Sequence, residues 1–178
     1  MKFFALIAIM LGFAIGANAQ SGTGTTPAKA TVLQAITVTG LIDLNFGTVS
    51  PGLLKTIDLV NHATGGQAGY GTESTGEFTV SAAASSNVNL KFTTLPTQLD
   101  KSTDHMPIDT YTAGYGVATP FAGTTFIPGT GVNISTFPTN VINSQNLIYV
   151  FIGGTVHPDP SQAPGAYAST ITLTATYN

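Results

Sequence analysis

The sequence predicts an all-β protein, an antiparallel sandwich of about seven to nine short strands. Almost every apolar pattern after the first twenty residues alternates with a period of two, which is typical of a strand with one buried face. Apolar residues at helical spacing are missing. The alternating segments are short and are separated by stretches rich in Gly, Pro, Asn and Ser, which form turns.

The N-terminal stretch predicts export. A single Lys precedes an apolar run from Phe3 to Ile15, and the small residues Ala17-Asn18-Ala19 follow. Such a run is too short to span a bilayer and has the form of a secretory signal peptide. We therefore expect residues 1–19 to be cleaved after Ala19, which leaves Gln20 first and no membrane insertion afterwards. An uncleaved membrane anchor is the alternative.

Composition excludes several classes of protein. Charged residues make up 7% of the chain, Arg is absent and the formal net charge is −3, so the basic surface that nucleic acid binding requires is missing. The apolar content of 43% is too high for a disordered chain. Because Cys is absent, stability must come from packing, backbone pairing or assembly.

The segment 28–46 carries the longest alternation. Its even positions are apolar except Gln34 and Gly40. Fully extended it would span about 60 Å, whereas a typical strand covers about 17–20 Å. The segment therefore bends, with Gly40 as the expected position, or its front part leaves the domain.

Further strands follow along the chain. Phe78–Ala82 and Val88–Phe92 alternate around an "SSN" turn and predict a hairpin. Leu147–Val156 is apolar on both faces, which indicates a central strand, and its Gly153-Gly154 pair indicates a bulge or a close backbone approach. Three weaker predictions are a strand in Leu53–Val60 and short edge strands near Pro107–Thr112 and Thr124–Ile127.

The C-terminal segment Tyr167–Tyr177 alternates to the end of the chain. Ile171, Leu173, Ala175 and Tyr177 share one face, and threonines occupy the other. Terminal residues fray unless they are held in a sheet, so we expect this strand to be paired.

The other end of the mature chain is a candidate for pairing between molecules. Residues 20–35 present Ala28, Ala30, Val32 and Gln34 on one face. A long alternating strand at a free terminus offers unpaired backbone groups to any sheet edge. It either completes its own domain or adds to the sheet of a neighbouring copy, as in donor-strand complementation of pilins. Repeated head-to-tail addition would build a filament.

Three motifs resemble a family of secreted bacterial pilin-like β-sandwich domains of unknown function, similar to spore-coat-protein-U-like and chaperone–usher major pilin subunits. They are "LIDLNFGTVSPG" (Leu41–Gly52), "LIYVFIGGTV" (Leu147–Val156) and "PGAYASTITLTATY" (Pro164–Tyr177). The resemblance implies an immunoglobulin-like sandwich over residues 36–178 and export through a Gram-negative periplasm. It also implies assembly into an extracellular fimbria with the help of a periplasmic chaperone and an outer-membrane usher.

The resemblance further implies a role for the last strand. In the related pilins this strand borders the groove that accepts the donor strand, which here assigns Tyr167, Ile171, Leu173, Ala175 and Tyr177 to an acceptor groove. The disulfide of many major pilins is missing, and so is a glycine at the centre of the donor strand. Pairing of the last strand within its own sandwich is the alternative.

No catalytic, cofactor or metal site is predicted, so the chain is not expected to be an enzyme. The histidines His62, His105 and His157 lack metal-ligand spacing, and a nucleophile-elbow motif is missing. The alternative to a filament subunit is a monomeric cell-surface module that binds glycan through aromatic residues of the middle segment. These are Tyr111, Tyr115, Phe121, Phe126 and Phe137.

Overall fold

The computed structural model describes most of the chain, namely residues 21–60, 63–65, 72–139, 141–142 and 145–178. The predicted signal peptide, its cleavage pair Ala19 and Gln20, and His62 lie outside the described residues. The described residues form strands and no helix, so none of their segments is a helix that could cross a membrane.

The chain divides into two units, Met1–Val32 and Leu33–Asn178. In the first unit, residues 21–32 form no strand, and every one of them is exposed. The second unit contains all strands of the described residues.

Twelve strands are present in the described part of the chain. In order they are β1 (Thr37–Ile42), β2 (Lys55–Ile57), β3 (Ala63–Gly65), β4 (Gly76–Ser81), β5 (Val88–Thr94), β6 (Gln98–Lys101), β7 (Asp104–Gly116), β8 (Thr124–Phe126), β9 (Val132–Ile134), β10 (Val141–Ile142), β11 (Gln145–Val156) and β12 (Thr172–Tyr177).

The strands form a nine-stranded and a three-stranded antiparallel sheet. The larger sheet has the order β1-β4-β11-β7 along its main part, and the smaller has the order β12-β5-β9. In an immunoglobulin-type sandwich, lettered in chain order, strands A, B, E and D form one sheet and C, F and G the other. The strands β1, β4, β5, β7, β11 and β12 take positions A to F in that order. The predicted immunoglobulin-like sandwich is confirmed, but the described residues form twelve strands and not the expected seven to nine, because five of the twelve are only two or three residues long.

The core lies between the two sheets. Val80 and Ile148 from the larger sheet meet Leu90, Phe92 and Leu173 from the smaller sheet in one buried cluster. A second cluster surrounds Phe46, Ile57, Met106, Ile108 and Val156 near the other end of the sandwich. Alternate residues of each strand therefore supply the core, as the period-two patterns predicted.

The predicted central strand is confirmed, since β11 pairs with β4 and β2 on one side and with β7 on the other. Its glycines produce both expected features. The β11–β7 register shifts between Gly153 and Thr155, and a Cβ on Gly153 would lie 2.3 Å from the Ile57 carbonyl oxygen.

Two predictions from the sequence are wrong. The predicted hairpin of Phe78–Ala82 and Val88–Phe92 does not form, because β4 and β5 lie in different sheets. Their period-two patterns are correct, but the turn between them carries the chain across the sandwich. The predicted short edge strand at Pro107–Thr112 is part of the 13-residue β7, which pairs with β11 over most of its length.

The expected bend in the 28–46 segment is a bulge in β1. Its register against β4 shifts between Gly40 and Ile42, so that Gly40 faces Phe78 and Ile42 faces Glu77. The bulge moves Ile42 from the core face to the outer face of the sheet.

The motif at Leu41–Gly52 has a structural explanation. Phe46 is buried in the second cluster, and Leu44 and Val49 pack against it. Gly47 has φ 61°, a conformation that favours glycine, and its N–H donates to Asn45 Oδ1 at 2.8 Å. The motif therefore holds a turn against the core directly after β1.

Candidate acceptor groove

The last strand pairs on one side only. β12 pairs with β5 from Thr172 to Tyr177, and it forms one edge of the smaller sheet. Position G of an immunoglobulin-type sandwich would lie beside the other side of β12. Within the described residues no strand occupies that position. β12 thus presents a row of backbone N–H and C=O groups to which another strand can add.

The two faces of β12 match the sequence pattern. Leu173 is buried in the core, and Ile171, Ala175 and Tyr177 pack against the same cluster. On the outer face, the hydroxyl groups of Thr174 and Thr93 lie 3.0 Å apart. The prediction that the terminal strand is paired is confirmed.

β1 and β12 are edge strands of the two sheets, and we call the boundary between them the seam. Side chains fill one half of this seam, which we call the closed half. Ile36 and Val38 pack against the cluster that contains Leu173. The Tyr177 hydroxyl donates to the Gln34 carbonyl oxygen at 2.6 Å and accepts from the Ala83 N–H at 2.8 Å. The chain that leads into β1 is thereby fixed to the end of β12.

The other part of this seam is its open half. After Ile42 the chain continues through residues 43–51, and residues 162–171 precede β12. In these two segments only isolated bridges are formed, between Asn45 and Ser74 and between Asp100 and Ala168. The described residues contain no bridge between one segment and the other.

A cavity of about 1110 Å³ fills the open half. Apolar side chains of the larger sheet and of the two segments line it, and they include Leu44, Phe46, Phe78, Leu99, Met106, Ile108, Ile152, Tyr167 and Ile171. Small-molecule pockets have volumes of about 300–1,000 Å³. The cavity, which we call the acceptor groove, is thus large enough for a polypeptide segment.

One wall of the acceptor groove is held by polar contacts. The Tyr167 hydroxyl donates to the Ala163 carbonyl oxygen at 2.8 Å and accepts from Gln162 Nε2 at 2.8 Å. Lys101 Nζ donates to the Pro164 carbonyl oxygen at 2.8 Å and lies 5.8 Å from the centre of the Tyr167 ring. These contacts fold the 162–171 segment back on itself and fix the position of the Tyr167 ring.

The opposite wall is held by a buried ion pair. Lys55 is fully buried, and its Nζ lies 2.5 Å from Glu73 Oε1 and 3.1 Å from the Thr48 carbonyl oxygen. Thr48 belongs to the groove wall. An ammonium group that has lost its water requires such partners, so the pair ties the wall to β2.

The predicted acceptor residues lie in two different places. Tyr167 and Ile171 line the acceptor groove, whereas Leu173, Ala175 and Tyr177 contribute to the core along the closed half of the seam. Most of the groove lies before β12, which the assignment of the last strand alone had not indicated.

The predicted donor residues belong to two different units of the chain. Ala28, Ala30 and Val32 belong to the first unit and are exposed, Val32 by 93%. Gln34 belongs to the second unit, where Tyr177 binds its carbonyl oxygen. The second unit begins at Leu33, whereas the sequence predicts a domain that starts at Ile36.

Sequence reasoning missed two parts of the site. The wall residues of 43–51 appeared in the sequence only as part of a motif of the family resemblance, and of the floor residues Leu99, Met106 and Ile108 only Ile108 fell within a predicted strand. The Lys55–Glu73 pair joins positions 18 residues apart, and no local pattern indicates it.

Other predicted features take structural roles. Phe137 is fully buried, and Phe126 stacks on Phe92 with ring centroids 6.2 Å apart. The Tyr111 hydroxyl donates to the Pro96 carbonyl oxygen at 2.7 Å. His105 and His157 pair separately with Asp100 and Asp109, and the described residues contain no cluster of three or more potential metal ligands.

Comparison with known proteins gave no match to a family model, a curated protein or a solved structure. The geometry of the groove and the pattern of the N-terminal extension remain as the indications of function.

Proposed function

We propose that this chain is the subunit of an extracellular bacterial filament, in which the N-terminal extension of one copy enters the acceptor groove of the next, beside the segment that leads into β12. The proposal is carried by two adjoining features, the edge of β12 that pairs with no strand of the described residues and the apolar cavity of about 1110 Å³ beside the segment that leads into β12. A strand added there would cover the apolar floor and pair its backbone with the segment that leads into β12.

The extension has the pattern that such a groove requires. Ala28, Ala30 and Val32 alternate with Lys29 and Thr31, so one face is small and apolar. All five residues are exposed. An exposed Val gains about 1.5–3 kcal/mol on full burial, and each new backbone hydrogen bond adds about 0.5–1.5 kcal/mol.

The contact would be head-to-tail and would not close, because the extension and the acceptor groove are different surfaces. Repetition of that contact builds a filament. Secretion through the predicted signal peptide, and a chaperone and usher that protect and deliver the subunit, belong to the same proposal. The glycan-binding alternative has no comparable support, because Phe126, Phe137 and Tyr111 are engaged in packing or hydrogen bonding within the domain.

Truncation tests the proposal. Mature chain Gln20–Asn178 is compared with a chain that begins at Leu33, by electron microscopy and by detergent gels of unheated samples. We expect filaments and a detergent-resistant ladder from the mature chain alone. The shorter chain keeps Gln34 and hence its contact with Tyr177.

A peptide experiment removes the dependence on assembly machinery. The chain that begins at Leu33 is titrated with a synthetic peptide of residues 20–35. We expect saturable binding, a strong loss with Val32→Asp in the peptide and little change with Thr31→Asp, which lies on the opposite face. Absence of both filaments and peptide binding would overturn the proposal, as would equal effects of the two peptide substitutions.

A further inference from the structure

The outer face of the larger sheet holds a second pocket, which shares Ile42 with the lining of the acceptor groove. Glu77 lies at its centre. The sheet register places Ile42 of β1 beside Glu77 on one side and Phe151 of β11 on the other. Residues that face each other across strands project from the same face of the sheet. The Glu77 side chain therefore stands in a row between two large apolar neighbours.

A glycine makes room for the wall of this pocket. Gly114 is the partner of Phe151 on β7, and a Cβ on Gly114 would lie 2.5 Å from the Phe121 ring. Because Gly114 has no side chain, the Phe121 ring can pack directly against the sheet. Its ring packs edge-to-face on Phe151, with the ring centroids 5.3 Å apart. The two rings form an aromatic wall beside Glu77.

Glu77 is largely buried, and its carboxylate makes no hydrogen bond or ion pair within the described residues. The residue is 7% exposed, and its carboxylate oxygens keep some contact with solvent, since neither is among the buried atoms that lack a partner. Burial alone raises the pKa of its carboxyl group. The neighbouring hydroxyls are engaged elsewhere, since Ser74 donates to the Asp43 carbonyl oxygen and Thr75 to the Asp58 carbonyl oxygen, each at 2.6 Å. A carboxylate that is mostly screened from water gains from a cation that enters the pocket.

The pocket has a volume of about 140 Å³. That volume holds about five groups of the size of a water molecule, each of which takes about 30 Å³ in the liquid. The walls are apolar and aromatic, and the carboxylate is the one charged group among the lining residues. A compact cation with a short hydrocarbon chain matches this size and chemistry. An ammonium brings three donors to the two carboxylate oxygens of the pocket, whereas a guanidinium brings five.

We propose that this outer-face pocket binds an alkylammonium group, with the Glu77 carboxylate as its ion partner and the Phe121 and Phe151 rings as its walls. The ammonium interacts with the carboxylate and with the aromatic faces, while its alkyl chain contacts Ile42 and Leu59. The group can belong to a free amine or to a lysine side chain of another protein. The inference does not depend on filament assembly.

Calorimetric titration of the mature chain with n-butylammonium tests the site. We expect saturable binding, with n-butanol at least about tenfold weaker because it lacks the charge. Equal affinity for the alcohol, or no binding of the ammonium, would overturn the proposal. This comparison uses the unaltered protein and so does not depend on the folding of any variant.

Two variants locate the binding. Glu77→Gln keeps the shape of the side chain and is expected to weaken n-butylammonium binding at least about tenfold. Asp43→Asn removes an exposed carboxylate nearby and is expected to change nothing. Unchanged binding by Glu77→Gln, or an equal loss in both variants, would contradict the assignment. Circular dichroism verifies that both variants are folded.

A lysine derivative that is blocked at both backbone ends distinguishes the two sources of the ammonium group. Nα-acetyl-lysine N-methylamide carries the same ammonium on a peptide backbone. Affinity equal to that of n-butylammonium supports a lysine of a partner protein as the ligand, and at least tenfold weaker binding supports a free amine. Failure of both compounds to bind would overturn the site itself.

Discussion

The two halves of the seam between β1 and β12 are built from the same two strands and their extensions, yet only one half is closed. In the closed half, branched side chains of β1 and its approach fill the space, and Tyr177 ties Gln34 to the end of β12. In the open half, both edges leave the strand conformation and a cavity of about 1110 Å³ remains. The closed half serves stability, and the open half leaves apolar surface that a second strand would cover.

The open half is kept open by rigid walls. A large apolar cavity would collapse if its walls were free to move, because each exposed apolar surface gains on burial. Lys55–Glu73 holds one wall and Lys101 with Tyr167 holds the other. The comparison therefore predicts that substitutions in the two halves have different consequences.

The largest effect is expected from Lys55→Met. It removes the ammonium from a buried pair and is expected to lower the free energy of unfolding by about 3–5 kcal/mol. Chemical denaturation measures the loss. The double variant Lys55→Met/Glu73→Gln is the control, because it removes both charges and should recover much of the stability. A mild single variant and an equally mild double variant would show that the pair does not hold the wall.

Two truncations compare the halves of the seam directly. They are Leu173→Ala in β12 and Ile171→Ala in the segment just before it, two residues apart on the same face. Leu173 is 6% exposed in the closed half, so its truncation is expected to cost about 2–5 kcal/mol of stability. Ile171 lines the acceptor groove and is less buried, so its truncation should cost less stability. Binding of the 20–35 peptide should show the reverse order. The same order in both measurements would argue against a binding role for the open half.

The sequence predicted the parts of this comparison that depend on local alternation. The core face of β12, the central position of β11 and the bend near Gly40 follow from period-two patterns and from glycine positions. It could not predict that β4 and β5 lie in different sheets, because alternation defines a buried face and not a pairing partner. For the same reason the floor of the acceptor groove, built by Leu99 and Met106 against Phe46, was not foreseen.

Tyr177→Phe tests the tie in the closed half. It removes one hydrogen bond donated to Gln34 and one accepted from Ala83, while the ring stays in place. We expect a loss of about 1–2 kcal/mol in the free energy of unfolding, since each bond contributes about 0.5–1.5 kcal/mol. Hydrogen exchange at the Ala83 amide should accelerate. Unchanged exchange would show that the hydroxyl does not fix the approach to β1.

The smallest effect concerns the pH dependence of stability beside the groove wall. The Thr110 hydroxyl, and then His157 with its Nε2 2.9 Å from Asp109 Oδ1, lower the pKa of the Asp109 carboxyl group. Asp109 therefore contributes stability above its unfolded pKa of about 3.9, and this contribution is lost as the pH falls through the lowered folded value. Since Asp109 is exposed, Asp109→Asn should lower the denaturation midpoint only slightly at pH 7.

Glu77→Gln is expected to change stability in the opposite direction to Asp109→Asn. Burial raises the pKa of Glu77, so its ionisation destabilises the folded chain at pH values above the unfolded pKa of about 4.3. Glu77→Gln should therefore raise the denaturation midpoint at pH 7, whereas Asp109→Asn lowers it. Both differences in the denaturation midpoint should shrink as the pH is lowered. The difference for Glu77→Gln should disappear at a higher pH than that for Asp109→Asn, because the pKa of Glu77 is raised and that of Asp109 is lowered. A midpoint that falls in Glu77→Gln would mean that a cation of the protein itself already neutralises this carboxylate.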